Sequence, residues 1–185
     1  MVAKLRTEYN VEVDWRPYYL RPNTPPEGLE LSDTIKRARA NGSEERLGQM
    51  AQANGMKFKS TERIYNTRLA HEATEYAREQ GGLLAFHHAV FQKVYAEGLD
   101  ISRWDVLRTA AQAAGLDGEA MQTEVESGKY TELVQAQVDQ ARQIGVTGVP
   151  TYVMNERYAV VGAQPYDVFL QVIERLKADA AKRTE

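Results

Sequence analysis

The spacing of apolar and polar positions changes character along the chain. Val2 to Glu8 read as part of a helix, and Asn10 interrupts it. Val11, Val13 and Trp15 then alternate with Glu12, Asp14 and Arg16, a period of two that predicts a strand with one buried face. Pro17 has no amide hydrogen to give a ladder and marks the strand's end. Residues 21–28 are a loop by their Pro, Asn and Gly content. From Ser32 to Gly145 the spacing is helical, with stops predicted at Gly42, Gly55, Gly81-Gly82, Gly98, Gly115, Gly128 and Gly145. Asn66 and Asp117 are predicted caps, and Ser102 with Asp105 resembles a capping box. After Gly145 the period returns to two. Thr151–Met154 and Tyr158–Val161, joined across Asn155-Glu156-Arg157, predict a hairpin. Pro165 suits a first helical position, and Phe169, Leu170, Val172, Ile173 and Leu176 give an amphipathic closing helix. This order describes a small α/β core interrupted by a helical insertion.

Composition narrows the function classes. The 185 residues carry a net charge of −3, with 43% hydrophobic and 26% charged residues, ordinary values for a globular protein. No basic excess exists to neutralise phosphates, so nucleic acid is not an expected partner. No apolar run approaches the roughly 18 residues that a membrane-spanning helix needs, so no membrane partner is expected either. The start, MVAKLRTEYN, has neither an apolar h-region nor a small-residue cleavage site, and a cytoplasmic location is the expectation. There is no cysteine. That excludes disulfides, thiolate metal sites and a cysteine nucleophile on this chain.

Candidate chemistry concentrates at residues 147–165, TGVPTYVMNERYAVVGAQP. Gly148-Val149-Pro150 stands directly before a predicted strand. The Val149–Pro150 bond has two readings at this stage: a plain trans turn, or a cis bond that turns the neighbouring backbone outward. An outward backbone is an edge on which an extended peptide docks. His71, His87 and His88 raise a metal reading, but adjacent helical residues point about 100° apart and no His-Glu-x-x-His spacing occurs. A structural role is the expectation for them, with no metal and no cofactor. Tyr18, Tyr65, Trp104, Phe86 and Phe91 either line a groove or, as is commoner for aromatics at helical spacing, fill a core.

Taken together, Gly148-Val149-Pro150-Thr151-Tyr152-Val153 and Tyr158-Ala159-Val160-Val161-Gly162-Ala163-Gln164-Pro165 resemble the C-terminal half of DsbA-family thioredoxin-fold oxidoreductases. The resemblance is to the FrnE-like branch, with 2-hydroxychromene-2-carboxylate isomerases as relatives. Trp15-Arg16-Pro17-Tyr18 is similar to that branch's second strand and loop, Asn66-Thr67-Arg68-Leu69-Ala70-His71 to a motif of its helical insertion, and Glu97-Gly98-Leu99-Asp100-Ile101-Ser102 to a helix junction. The resemblance implies a thioredoxin-like α/β fold with a large helical insertion. It makes 1–185 a single domain, with 1–31 and 146–185 forming the core and 32–145 the insertion. It also implies substrate binding by Val149, Pro150 and Thr151, with Pro150 cis and the Val149 backbone holding the substrate strand.

One departure stands out. The family's first strand and its Cys-x-x-Cys motif have no counterpart here, so the sequence reads as lacking that strand and no catalytic residue is assigned. The expected function is protein thiol-disulfide oxidoreductase or isomerase chemistry, with these residues redox-inactive as they stand. The implied partners are protein thiols and disulfides or extended peptides. One alternative is a glutathione-dependent 2-hydroxychromene-2-carboxylate isomerase-like enzyme, with glutathione as partner. Another is a redox-dead peptide-binding module. Without a central strand, a rearranged sheet or an intertwined homodimer is the structural expectation.

Overall fold

The computed structural model describes residues 1–61 and 63–182. It divides into two compact units: residues 1–20 with the described part of 137–185, and residues 21–136.

In the first unit, α1 (Val2–Tyr9) ends at Asn10, whose φ of 52° is left-handed. Asparagine tolerates that conformation better than most side chains. β3 (Thr151–Met154) and β4 (Tyr158–Val161) form the predicted hairpin, with Thr151 opposite Val161 and Met154 opposite Tyr158. Asn155 and Glu156 both have positive φ, 50° and 56°, the twist that a tight antiparallel turn requires. α9 (Tyr166–Ala181) packs on the hairpin's inner face through Phe169 and Ile173, which with Leu5 and Val160 are the buried heart of this unit. The rings of Tyr152 and Phe169 meet edge to face at 4.9 Å. Tyr158 donates a 2.9 Å hydrogen bond to Asp179 and so pins the hairpin's far end to the helix.

The second unit is helical apart from one short ladder. Its helices are α2 (Asp33–Ala38), α3 (Glu44–Ala53), α4 (Arg68–Glu79), α5 (Leu83–Phe91), α6 (Trp104–Ala113), α7 (Gly118–Glu126) and the first part of α8 (Thr131–Gln143). Phe86, Leu107, Met121 and Tyr130 are large side chains in its buried core, with Tyr76, and Tyr65 and Trp104 pack against that core. Asp117 caps α7 as expected, accepting from the amides of Glu119 and Ala120 at 3.0 Å. No helix among the described residues is long and apolar enough to cross a membrane.

Three local expectations are corrected. Residues 11–16 show the predicted alternation of half-buried and exposed side chains, yet among the described residues no ladder includes them. Period two specifies which face is buried; a strand also needs a neighbouring backbone in register, and none is supplied. Ser102 does not cap α6; its hydroxyl donates to Asp100 at 2.6 Å, and the cap position falls to Arg103. A ladder that periodicity did not reveal joins the helical stretch to the residues just before it, β2 (Arg63–Ile64) pairing with β1 (Leu29–Glu30). Gly28 precedes it with φ of 77°, and a Cβ there would stand 2.6 Å from the Ile64 carbonyl oxygen. Only glycine fits that approach.

Candidate functional site

The Gly148–Thr151 segment is positioned from three sides, all within the first unit. Upstream, α8 ends in a glycine cap. Gly145 takes φ of 83°, its amide donates to Arg142 at 2.9 Å, and the Val146 amide donates to Ala141 at 2.9 Å. This pattern satisfies the helix's last carbonyls and turns the chain sharply toward Gly148. The Val146 carbonyl left by that turn accepts a 3.2 Å hydrogen bond from the Tyr18 hydroxyl, 128 residues away in sequence. Downstream, the Thr151 hydroxyl reaches back to the Gly148 carbonyl at 2.7 Å, and the Gly162 amide donates to the Pro150 carbonyl at 2.8 Å. The last contact extends the β3–β4 pairing by one step.

Between these anchors lies Val149. Its side chain is 50% exposed, and the Val149–Pro150 peptide is cis. Among the described residues no hydrogen bond reaches its amide hydrogen or its carbonyl oxygen. A donor and an acceptor at one strand-entry residue, flanked by fixed neighbours, form an open pairing edge. Beyond it, Val153 and Val161 are 46% and 56% exposed on the hairpin's outer face, where Thr151 pairs with Val161 and Val153 with Ala159. These four paired residues are all uncharged.

Three phenols of this unit are held in their neutral form. Burial raises the Tyr152 phenol. The hydrogen bond to Asp179, followed by burial, raises Tyr158. Burial and then Glu8 push Tyr166 up to about 12. All three stay protonated and neutral. The arrangement can hold an extended backbone, and it offers no thiol of its own.

The other candidates separate cleanly. Val149, Pro150 and Thr151 are contiguous and share the anchored turn. Tyr18 is half-buried and donates a hydrogen bond to the turn, a role no local pattern signals. Phe86 is fully buried, and Tyr65 and Trp104 join the helical core. Phe91 is 55% exposed and stacks on Tyr95, with ring centroids 5.7 Å apart. His87 meets the Phe91 ring edge to face, and His88 is exposed beside Gln92. Burial, then the charge of His87, lowers the His71 pKa to about 4; burial, then Arg78, lowers that of His87. Among the described residues no three His, Asp or Glu side chains converge as a metal-binding group.

The protein YwbO of Bacillus subtilis is 28% identical over 167 residues, which cover 89% of this chain and 82% of YwbO. The ClpXP adapter protein SpxH of Shouchella clausii is 28% identical over 116 residues, 60% of this chain and 38% of that protein. Among solved structures, a probable DsbA oxidoreductase of Streptomyces coelicolor superposes with a TM-score of 0.82 at 27% identity, covering 94% of this chain and 79% of that one. A 2-hydroxychromene-2-carboxylate isomerase shares the fold, with a TM-score of 0.77 at 20% identity, covering 100% of this chain and 90% of that one. The family description DSBA-like thioredoxin domain matches residues 1–174, and the chain belongs to that family.

Proposed function

We propose that this chain serves protein thiol-disulfide exchange of the FrnE-like DsbA kind, and that residues 1–185 supply its substrate-docking wall. The observation that carries this reading is the open backbone of Val149, held between the Tyr18–Val146 bond on one side and the Thr151–Gly148 and Gly162–Pro150 bonds on the other. An extended peptide pairs there by main-chain hydrogen bonds, so recognition tolerates many sequences. The uncharged residues paired on the hairpin's outer face favour apolar side chains in the docked segment. Pro150 and Thr151 act as positioning residues: Pro150 presents Val149, and the Thr151 hydroxyl holds the Gly148 carbonyl.

Exchange itself requires thiolate attack on a disulfide sulfur. Residues 1–185 contain no cysteine, so they bind without exchanging. Glutathione, itself a short extended peptide with one thiol, fits the same edge and is the natural small probe of it. Purified residues 1–185 are expected to show no turnover in an insulin-reduction assay with dithiothreitol, beyond the uncatalysed rate. They are also expected to bind a short extended peptide carrying one cysteine. Catalysed turnover would overturn the redox-inactive reading, and failure to bind either peptide or glutathione would overturn the docking reading.

A further inference from the structure

Charge is unevenly distributed in the helical unit. Residues 33–59 hold six Lys and Arg against three Asp and Glu, whereas the remainder of the chain holds 17 against 23. Within this basic stretch α3 has no buried residue, and Leu47 and Met50 stand 53% and 60% exposed. Its C-terminal turn, closed by the Met56 amide on the Ala51 carbonyl at 2.9 Å, adds Met56 at 56% exposed. The side of α3 that does pack carries the half-buried Gly48 and Ala51, with Phe58 beside Gly48. Three large, flexible apolar side chains are thus left in water in a basic stretch, of whose cations Arg39, Arg46 and Lys59 reach, among the described residues, only backbone carbonyls, those of Thr61, Gly42 and Glu97. Such a surface marks an interaction site, and methionine suits it because it adapts to the surface it meets.

The complementary surface is on the same chain. α7 and the start of α8 present Asp117, Glu119, Glu124, Glu126 and Glu132, with Lys129 and the nearby Arg108 as the opposing cations. Leu133 is 45% exposed beside Glu132. Among the described residues no ion pair joins this acidic surface to residues 33–59.

We propose that a second copy of this chain covers α3, its basic arm lying on the α7–α8 surface of the partner, and the partner's arm lying reciprocally on the first. Two complementary patches on one chain close into a two-fold dimer when each copy offers both. The apolar residues supply the contact, and the opposite charges fix its register and speed encounter. This pairing needs no exchange of strands and does not depend on the docking reading.

Sedimentation velocity of the full chain at rising concentration, in low and high salt, tests it. The expected result is a monomer–dimer equilibrium that weakens in high salt. Leu47→Glu with Met50→Glu, both exposed in the monomer, should abolish the dimer and leave the circular dichroism spectrum unchanged. Lys36→Glu with Arg37→Glu, or Glu126→Lys with Glu132→Lys, should each weaken it by about tenfold or more. The chain carrying all four charge reversals should recover it. Only monomer at every concentration, or a dimer indifferent to these substitutions, would overturn the proposal. So would arm-dependent binding to anionic phospholipid vesicles by a chain that stays monomeric.

Discussion

At Val149 the atoms that matter are backbone atoms, and one phenol far away in sequence helps to hold them. Tyr18→Phe keeps the ring and removes the hydrogen bond to the Val146 carbonyl. The expected outcome is a loss of about 0.5–1.5 kcal/mol in chemical denaturation, with weaker peptide binding as the turn loosens. Unchanged binding would leave the hydroxyl without a positioning role. His71 gives a second residue-scale expectation. Its folded pKa of about 4 lies below the ordinary 6.5, because burial and the neighbouring His87 disfavour the charge. Between those values the unfolded chain binds the proton more readily, so stability should fall as pH drops from 6.5 toward 4. His71→Gln should flatten that part of a stability–pH profile. At this scale Gly148-Val149-Pro150 left a trans turn and a cis bond both open, and it was the family resemblance of the longer stretch that singled out Val149, Pro150 and Thr151. The sequence did not make the Tyr18 contact visible, since nothing local to Tyr18 points to a carbonyl 128 residues on.

Among the elements, the β3–β4 hairpin was legible to the residue because alternation, turn length and turn composition agree. Its turn nevertheless holds a strained choice. Glu156 sits at φ of 56°, a region that costs a non-glycine residue about 1–2 kcal/mol. Glu156→Gly produces the Asn-Gly pair such turns favour, and should stabilise the protein by about 0.5–1 kcal/mol after glycine's own entropic cost. A denaturant midpoint that falls instead would contradict the turn geometry. Residues 11–16 teach the opposite lesson. Their side chains alternate as a strand's do, but a ladder is a property of two backbones, and the pattern of one segment cannot provide its partner. The β1–β2 ladder escaped notice for a related reason: two residues per strand are too few to show a period.

Across the whole molecule, the two units differ in what holds them. The helical unit buries large side chains such as Phe86, Leu107 and Tyr130 in one continuous core, and ties α4 to α7 through Lys129 and Tyr130, each bonded to both Glu79 and Glu124 at 2.7–2.8 Å. In the unit that carries the Val149 edge, the buried cluster among the described residues is Leu5, Val160, Phe169 and Ile173. The docking edge therefore rests on the smaller core, with hydrogen bonds from Tyr18, Thr151 and Gly162 fixing the turn. Peptide capture there should depend on backbone atoms and little on the valine side chain.

Calorimetric titration of a short extended, cysteine-containing peptide into the wild-type chain, Val149→Ala and Val149→Pro tests this most directly. Alanine keeps the amide hydrogen and the carbonyl; proline removes the hydrogen. Wild-type and alanine chains should bind alike, and the proline chain about tenfold more weakly, with the hairpin's circular dichroism retained. Equal binding by all three chains, or loss with alanine as severe as with proline, would contradict the account.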